Sequence, residues 1–505
     1  MMARLLDSRA TNGRGIRRQF STNFLYLALL AVVFWIAGFL QAYGQLSSGG
    51  QTPPPMYFNG MAFLNEGDYG DALQIFDSCY RSAMRFGTRR FMDSVCYLAM
   101  MGECYYHMGQ YDKAYENYSA AVELALSYPT WMQQVTLPPT GPTPLSSATN
   151  RPIPWGQRTR NTRLSQLPST GLYTYAQIIV DPKLQEQGAI VPQEARSINV
   201  AEVIRCTALA LRRRQELLGP LSLADPMSRP TSSVFSAQYT LPNHWSQCWG
   251  DLLAGLSAIG DGRVNTAIPL LTRATTAAGQ FEHQMSAVAL IELGKLALAR
   301  ADYAAARTFF HEASCDAFYY GDASLLEEAF RLMAMAHLVS RSQEVDPTLV
   351  QALAWAKSKR LSQLQASLDL SIAEQALATG NIAAATTALD DAQSVISRRQ
   401  MANGRLGVKL AYLRAAALLR SGATAQGESA LTSILPSVQR CSLWVFQLNR
   451  LSRVYSSGQI SLRGPITPRT AHELYSLVLR DPTNLDWATD PVSYTHLTLP
   501  TIYSV

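Results

Sequence analysis

The stretch Cys96–Pro129, CYLAMMGECYYHMGQYDKAYENYSAAVELALSYP, decides how the rest of the chain is read. Counting from Gly102, small or aromatic residues recur at Tyr105, Gly109, Tyr111, Ala114, Tyr118 and Ala121. Two packed helices need that order. Gly102 and Ala114 let two axes approach closely, and Tyr105, Tyr111 and Tyr118 fill the space around them. Gly109 falls between two helical runs, where a chain reversal requires a residue free of Cβ strain. The spacing predicts a helix-turn-helix hairpin in which Ala114 faces Gly102 where the helices cross.

Working outward, the same grid fits Gly60, Phe63, Gly67, Tyr69, Ala72, Phe76 and Cys79, an offset of 42 residues. It returns at Gly255, Ala258, Gly262, Val264, Ala267, Leu271 and Ala274. Gly294, Ala297, Ala301, Tyr303, Ala306, Phe310 and Ala313 follow 39 residues later. Ala373, Ala376, Gly380, Ile382, Ala385, Leu389 and Ala392 make another unit, and Ala415, Leu418, Gly422, Leu431 and Ile434 a degenerate last one. The 79 residues from Gly294 to Ala373 leave room for one more, its helices supplied by Leu325–Ser340 and Pro347–Lys359. No alternating run demands a β-sheet. The fold class expected is all-α, and stacked hairpins bury one another's apolar faces into a superhelix with a concave surface.

The order small, aromatic, Gly, aromatic, small, aromatic, small resembles the tetratricopeptide repeat (TPR), a unit of about 34 residues. The resemblance implies a solenoid whose groove contacts come mainly from the first helix of each hairpin. On this sequence those positions are Tyr57, Met61 and Asn65 in the first hairpin, and Ala99, Glu103, Tyr106 and His107 in the second. Tyr106 and Glu103 are expected on the groove floor. Read without the resemblance, His107 lies one turn past Glu103 as a solvent-facing pair, with part of a ligand site as the alternative.

The expected organisation is a signal or anchor at 1–44, a linker at 45–55 and two hairpins at 56–129. A Pro-rich, largely irregular insertion covers 130–199, and a helix with a Pro/Ser-rich linker covers 200–243. A second array of about five hairpins runs over 244–440, followed by a helical segment at 441–491 and a tail at 492–505. The first segment carries Arg4, Arg9, Arg14, Arg17 and Arg18 against Asp7, then the apolar run Phe24–Leu40 and the small-x-small triplet Ala42-Tyr43-Gly44. These are the three parts of an export signal. The apolar run is also close to the roughly 17-residue minimum for a spanning helix, so residues 21–44 serve as a membrane anchor if uncleaved. The protein is thus expected in a bacterial cell envelope, periplasmic or secreted, with an inner-membrane anchor as the alternative. Without residues 1–44 the formal charge drops from +6 to about +2, which gives no case for nucleic-acid binding. The tail VSYTHLTLPTIYSV resembles a translated sequencing adapter, which implies that the natural sequence ends near Pro491.

In the insertion, Arg151, Arg158, Arg160 and Arg163 have no acid between them and read as a solvated basic loop, or as a contact for an acidic partner or anionic lipid. Arg212-Arg213-Arg214 sits near a helix C-terminus, where the dipole alone favours cations. The seven cysteines have no metal-like spacing, and most read as small buried hydrophobes. His311-Glu312 does not continue into HExxH, Gly255-Leu-Ser257 lacks the second Gly of a nucleophile elbow, and no phosphate-binding glycine loop follows a strand. No catalytic, metal or cofactor residue is assigned. The functional expectation is a non-catalytic exported scaffold that binds a protein or peptide. Its alternative is the regulatory half of a larger enzyme with a protease-like C-terminal domain lost by truncation.

Overall fold

The computed structural model describes residues 51–441, except residue 87 and residues 146–150, 177–192, 220–221, 223–224, 237–243 and 341–343. The export signal, the 442–491 segment and the adapter-like tail lie outside the described residues. Among those described, no helix is long and apolar enough to cross a membrane.

The described chain is mostly helical, and consecutive helices pack in pairs. The first pair is α1 (Pro55–Glu66) with α2 (Tyr69–Ser82), and the second α3 (Ser94–His107) with α4 (Tyr111–Leu126). A long helix, α5 (Val200–Leu218), and a short one, α6 (Ser228–Ser236), follow the insertion. Then come α7 (Gln247–Gly260) with α8 (Val264–Ala274), and α9 (Ser286–Ala299) with α10 (Tyr303–Tyr320). The remaining helices are α11 (Ala323–Val339), α12 (Pro347–Lys359), α13 (Ser362–Ala378), α14 (Ile382–Arg398), α15 (Arg405–Arg420) and α16 (Thr424–Arg440). The helices α11 and α12 do not form a regular hairpin. α11 packs on α10 and α13, and α12 packs mainly on α13.

Each joint is set by one missing side chain. A Cβ on Gly60 would meet the Phe76 ring at 2.7 Å, one on Gly102 the Tyr118 ring at 2.5 Å, and one on Gly294 the Phe310 ring at 2.5 Å. Gly255 stands in the same relation to Leu271, at 2.9 Å. In every case the partner lies sixteen residues on. Gly102 is therefore matched by Tyr118 and not by Ala114, although Ala114 is buried. Ala72, Ala121, Ala267, Ala306, Ala373, Ala385 and Ala415 are buried at the other joints. Phe63, expected between the helices, is instead 37% exposed, and Tyr105 is half-buried.

The two helices of a pair differ in kind. α3, α7 and α9 each bury twelve of fourteen residues, whereas α2 buries only Tyr69, Ala72, Phe76 and Cys79. Helices apolar on every side belong inside, and those with one apolar stripe belong on the outside. Side-chain caps fix several starts: Asp302, Asp322 and Asn381 accept from the backbone N–H of Ala305, Leu325 and Ala384 at 2.9–3.1 Å. The turn residues Gly67 and Gly109 take positive φ, 86° and 76°. At the equivalent turn the chain carries Ala301, at φ 58°. Left-handed backbone costs an L-residue roughly 1–2 kcal/mol, more than the entropy glycine adds. Ala301→Gly is therefore expected to stabilise the protein by about 0.5–1 kcal/mol in urea unfolding. A loss of stability would show the strain to be compensated locally.

Strands do occur, contrary to the all-helical expectation, most of two to four residues and two of seven. β1 (Arg85–Phe86) pairs with β2 (Arg89–Arg90). Within the insertion β3 (Val135–Thr136), β6 (Thr170–Ala176) and β7 (Gln193–Asn199) form an antiparallel sheet in the order β3-β6-β7. β4 (Thr143–Pro144) and β5 (Arg163–Gln166) join β8 (Phe281–Glu282), β5 lying parallel to β8. The insertion, expected to be largely irregular, is thus stitched to the start of the row and to the α8–α9 connection in its middle. Thr52 accepts from the Asn199 N–H at 2.8 Å, and the Arg163 N–H donates to Gln280 at 3.0 Å.

The first hairpin also touches the α13–α14 hairpin and the turn that follows it. Arg399 pairs with Asp68 at 2.7 Å, and the Gly70 N–H donates to Gln400 at 2.9 Å. The Tyr69 hydroxyl donates to Gln363 at 3.1 Å. The turn at Gly109 lies so close to Asn403 that a Cβ there would stand 2.2 Å from its carbonyl oxygen. The described helices therefore form a row whose start and later part are in contact.

One outer carboxyl is placed to make stability pH-dependent. Asp369 is buried beside Asp391, and burial first, then that like charge, pushes its pKa up to about 7 against the pull of Lys357. Below pH 4 the carboxyl is protonated in both states. As pH rises toward 7 the unfolded chain releases this proton and the folded chain keeps it, so stability falls, by at most about 1.4 kcal/mol per pH unit, and levels off above 7. Asp369→Asn is expected to flatten that decline and leave stability at pH 4 unchanged. Parallel wild-type and variant curves from pH 4 to 8 would refute the assignment.

Candidate functional site

The expected groove lies on the first helices, and there the structure departs from the sequence reading. Tyr57, Ala99, Glu103 and Tyr106 are buried, Met61, Asn65 and His107 are half-buried, and Tyr57, Glu103, Tyr106 and His107 are engaged within the chain. The correction is physical. Because the row closes, the inner helix faces meet each other instead of solvent.

What fills the interior is charge. Arg212 on α5 binds Glu292 on α9 and Glu328 on α11, both at 2.6 Å. Lys295 reaches the same two carboxylates at 2.9 and 3.0 Å, which closes a quartet of two cations and two anions. Beside it Arg213 binds Glu103 at 2.8 Å and Glu216 at 2.7 Å, and Arg405 from α15 also binds Glu216 at 2.7 Å. The Tyr118 hydroxyl donates to Glu103 and the Tyr106 hydroxyl to Glu216. The Arg213 guanidinium stacks 4.4 Å from the Tyr106 ring. Arg214 pairs with Asp225 at 2.7 Å. The triple arginine is thus explained by carboxylates, those of Arg212 and one of Arg213 from distant helices and that of Arg214 from the following loop, and the helix dipole is not needed.

The electrostatics follow from that pairing. Burial opposes ionisation of Glu103, but Arg213, with His107 at 3.5 Å, overrides it and holds the carboxyl well below the usual range. Glu328 is likewise depressed against its burial by Arg212 and Lys295. Between these groups a cavity of about 30 Å³ is lined by Met61, Met100, Arg205, Arg212, Arg213 and Glu328. That volume suits one or two waters and no larger ligand. A wider hollow of about 410 Å³ at Ala301–Ala304, Arg307 and Ser340 is shallow, and its one cation pairs with Asp346 at 3.2 Å. Among the described residues no group of three His, Cys, Asp or Glu is placed to hold a metal ion. The seven cysteines are all buried free thiols.

A second cluster lies outside, where residues 151–166 cross α10. Trp155 is buried in a box of Phe318, Phe330 and Trp355, with ring centroids 5.0–5.4 Å away, and its Nε1–H donates to Ser314 at 3.0 Å. Gly156 rests on His311, where a Cβ would be 2.8 Å from the ring. The Thr159 N–H and hydroxyl both donate to Glu312 at 2.6 Å. Arg158 and Arg160 pair with the buried Glu282, so these two are not the solvated arginines the sequence suggests. Arg151 and Arg163 are exposed. Asp316, 1% exposed, sits against Glu282, and Arg158 Nε stands 3.9 Å away. Burial, then Glu282, pushes the Asp316 carboxyl well above its ordinary range.

No protein-family model and no curated protein matches the chain.

Proposed function

We propose that this protein is a helical-repeat interaction scaffold of the TPR-like kind, exported to the cell envelope, that binds a protein or peptide partner. The observation that supports it best is the repeated joint, glycine against a large side chain sixteen residues on, at Gly60, Gly102, Gly255 and Gly294. A chain that repeats one packing solution along its length builds surface rather than a single pocket. The basic, apolar and small-residue order of residues 1–44 supports export. Because the inner faces are occupied by ion pairs, the partner surface is the outer one. There Met56, Phe58, Phe63, Leu172 and Val350 are exposed large apolar residues.

The test is site-specific photo-crosslinking in the native envelope from Phe58, Phe63, Leu172, Val350 and, as an inner control, Ala99. One discrete partner recovered from outer positions and not from Ala99 is the expected result. Absence of any adduct from all outer positions would refute the scaffold reading.

A further inference from the structure

Residues 151–166 behave as a bound peptide that happens to be covalently attached. From Arg151 to Thr162 they form no helix or strand, and they are held by side chains that reach into α10 and its neighbours. A tryptophan fills an aromatic box and donates its N–H to Ser314 at 3.0 Å. His311 contacts the Gln157 carbonyl at 3.1 Å, and Tyr319 donates to the Arg151 carbonyl at 3.2 Å. The segment then continues as β5, which adds in parallel to β8. Sequence-independent backbone pairing with a few deep side-chain pockets is how proteins bind extended peptides.

The fit between this segment and the receptor face is also incomplete. Glu282 faces Arg158 and Arg160, Asp316 lies 3.9 Å from Arg158, and Glu312 accepts from Thr159 between them. Buried Glu312 Oε2 and Glu282 Oε1 remain without a hydrogen bond, and so do Arg158 Nε and Arg160 Nη1 of the segment itself. Buried polar atoms are normally paired, so a better-matched cationic ligand has unclaimed acceptors to use.

We propose that the outer face formed by α10, α11, α12 and β8 is a peptide-recognition site, closed in cis by residues 151–166. Its external partner is an extended cationic segment that presents a tryptophan followed by arginines three and five residues later. This rests on the interaction-scaffold reading and names its partner class. The tethered segment competes at an effective concentration on the order of millimolar, so the site opens to an outside ligand only when the strap is loosened or the ligand is in large excess.

The probe is a fluorescent peptide of residues 151–166, RPIPWGQRTRNTRLSQ, titrated against the full chain. With Trp155→Ala combined with Arg158→Gln the strap loses its two anchors, and the peptide is expected to bind at least about tenfold more tightly than to wild type. The same peptide with its tryptophan replaced by alanine is expected to lose at least about tenfold. A variant with wild-type circular dichroism that does not bind the peptide overturns the proposal. Should the variant not fold, wild type decides: excess peptide carrying a photoreactive group at the tryptophan position must label Ser314–Phe330, and labelling elsewhere or not at all overturns it. A wild-type dimer that the peptide dissolves would overturn the external partner in favour of a second copy of this chain. Loss of peptide binding with intact envelope crosslinks from Phe58 or Val350 would refute this site alone and leave the scaffold reading standing.

Discussion

Replacing Arg212 by alanine is expected to lower the unfolding free energy by about 3–5 kcal/mol, the usual cost of leaving a buried ion pair with one partner missing. Arg212 neutralises both Glu292 and Glu328, each 2.6 Å away, and without it Lys295 faces two buried carboxylates alone. Alanine also opens a void where the guanidinium stem packed. The control is Arg263→Ala, whose pair with Asp261 is half in solvent and is worth no more than about 1 kcal/mol. Denaturant titration distinguishes the two. A loss below 1 kcal/mol for Arg212→Ala would show the quartet to be hydrated and exchangeable. Methionine at Arg212 together with glutamine at Glu292 and Glu328 is expected to recover part of the loss, since the desolvation penalty disappears with the charges.

The second large effect is expected where the turn of the second hairpin meets the α14–α15 connection. Gly109→Val places a β-branched residue at φ 76°, costing roughly 1–2 kcal/mol, and drives its Cβ toward the Asn403 carbonyl, 2.2 Å away. Overpacking adds about 1–3 kcal/mol. The total of about 2–5 kcal/mol is expected to separate the Gly109 turn from residues 399–404. Hydrogen exchange should then accelerate at Gly70, whose N–H donates to Gln400, while the Gly294–Phe310 joint keeps its protection. Uniform acceleration over both sites would mean that the junction carries no local role.

The repeats were legible because their signal is local. Gly102 and Tyr118 lie in one hairpin, and the constraint between them is written within sixteen residues. The interior network was not. Arg212 meets carboxylates 80 and 116 residues away, and a charge on a helix reads by default as a solvated face. Glu103 and Tyr106 were placed on an open floor for the same reason, since nothing near them announces that α5 and α15 will cover them. Trp155 stands among Pro, Gly and Thr in a stretch with no period, so its aromatic box, built from three other helices, left no trace in the sequence around it. The strands escaped notice because those of two to four residues exist only through their partners, and β5 needs β8 more than 100 residues later. Phe63 failed differently. Its position in the grid was right for packing, but among the described residues nothing covers that face.

Contact between Asp68 and Arg399, 331 residues apart, also bears on how the protein is made. An open stack can lock each hairpin onto the one before it as the chain emerges. Here the first hairpin is completed early, but its partner strip is synthesised about 15–60 s later at 5–20 residues per second. Throughout that interval the Asp68–Gly70 turn lacks its partners at Arg399 and Gln400, so a nascent chain is most vulnerable at its earliest finished part. Assembly is expected to end in one concerted step when residues 399–405 arrive, and chains stopped short of that point should be far more prone to aggregate than their length alone suggests.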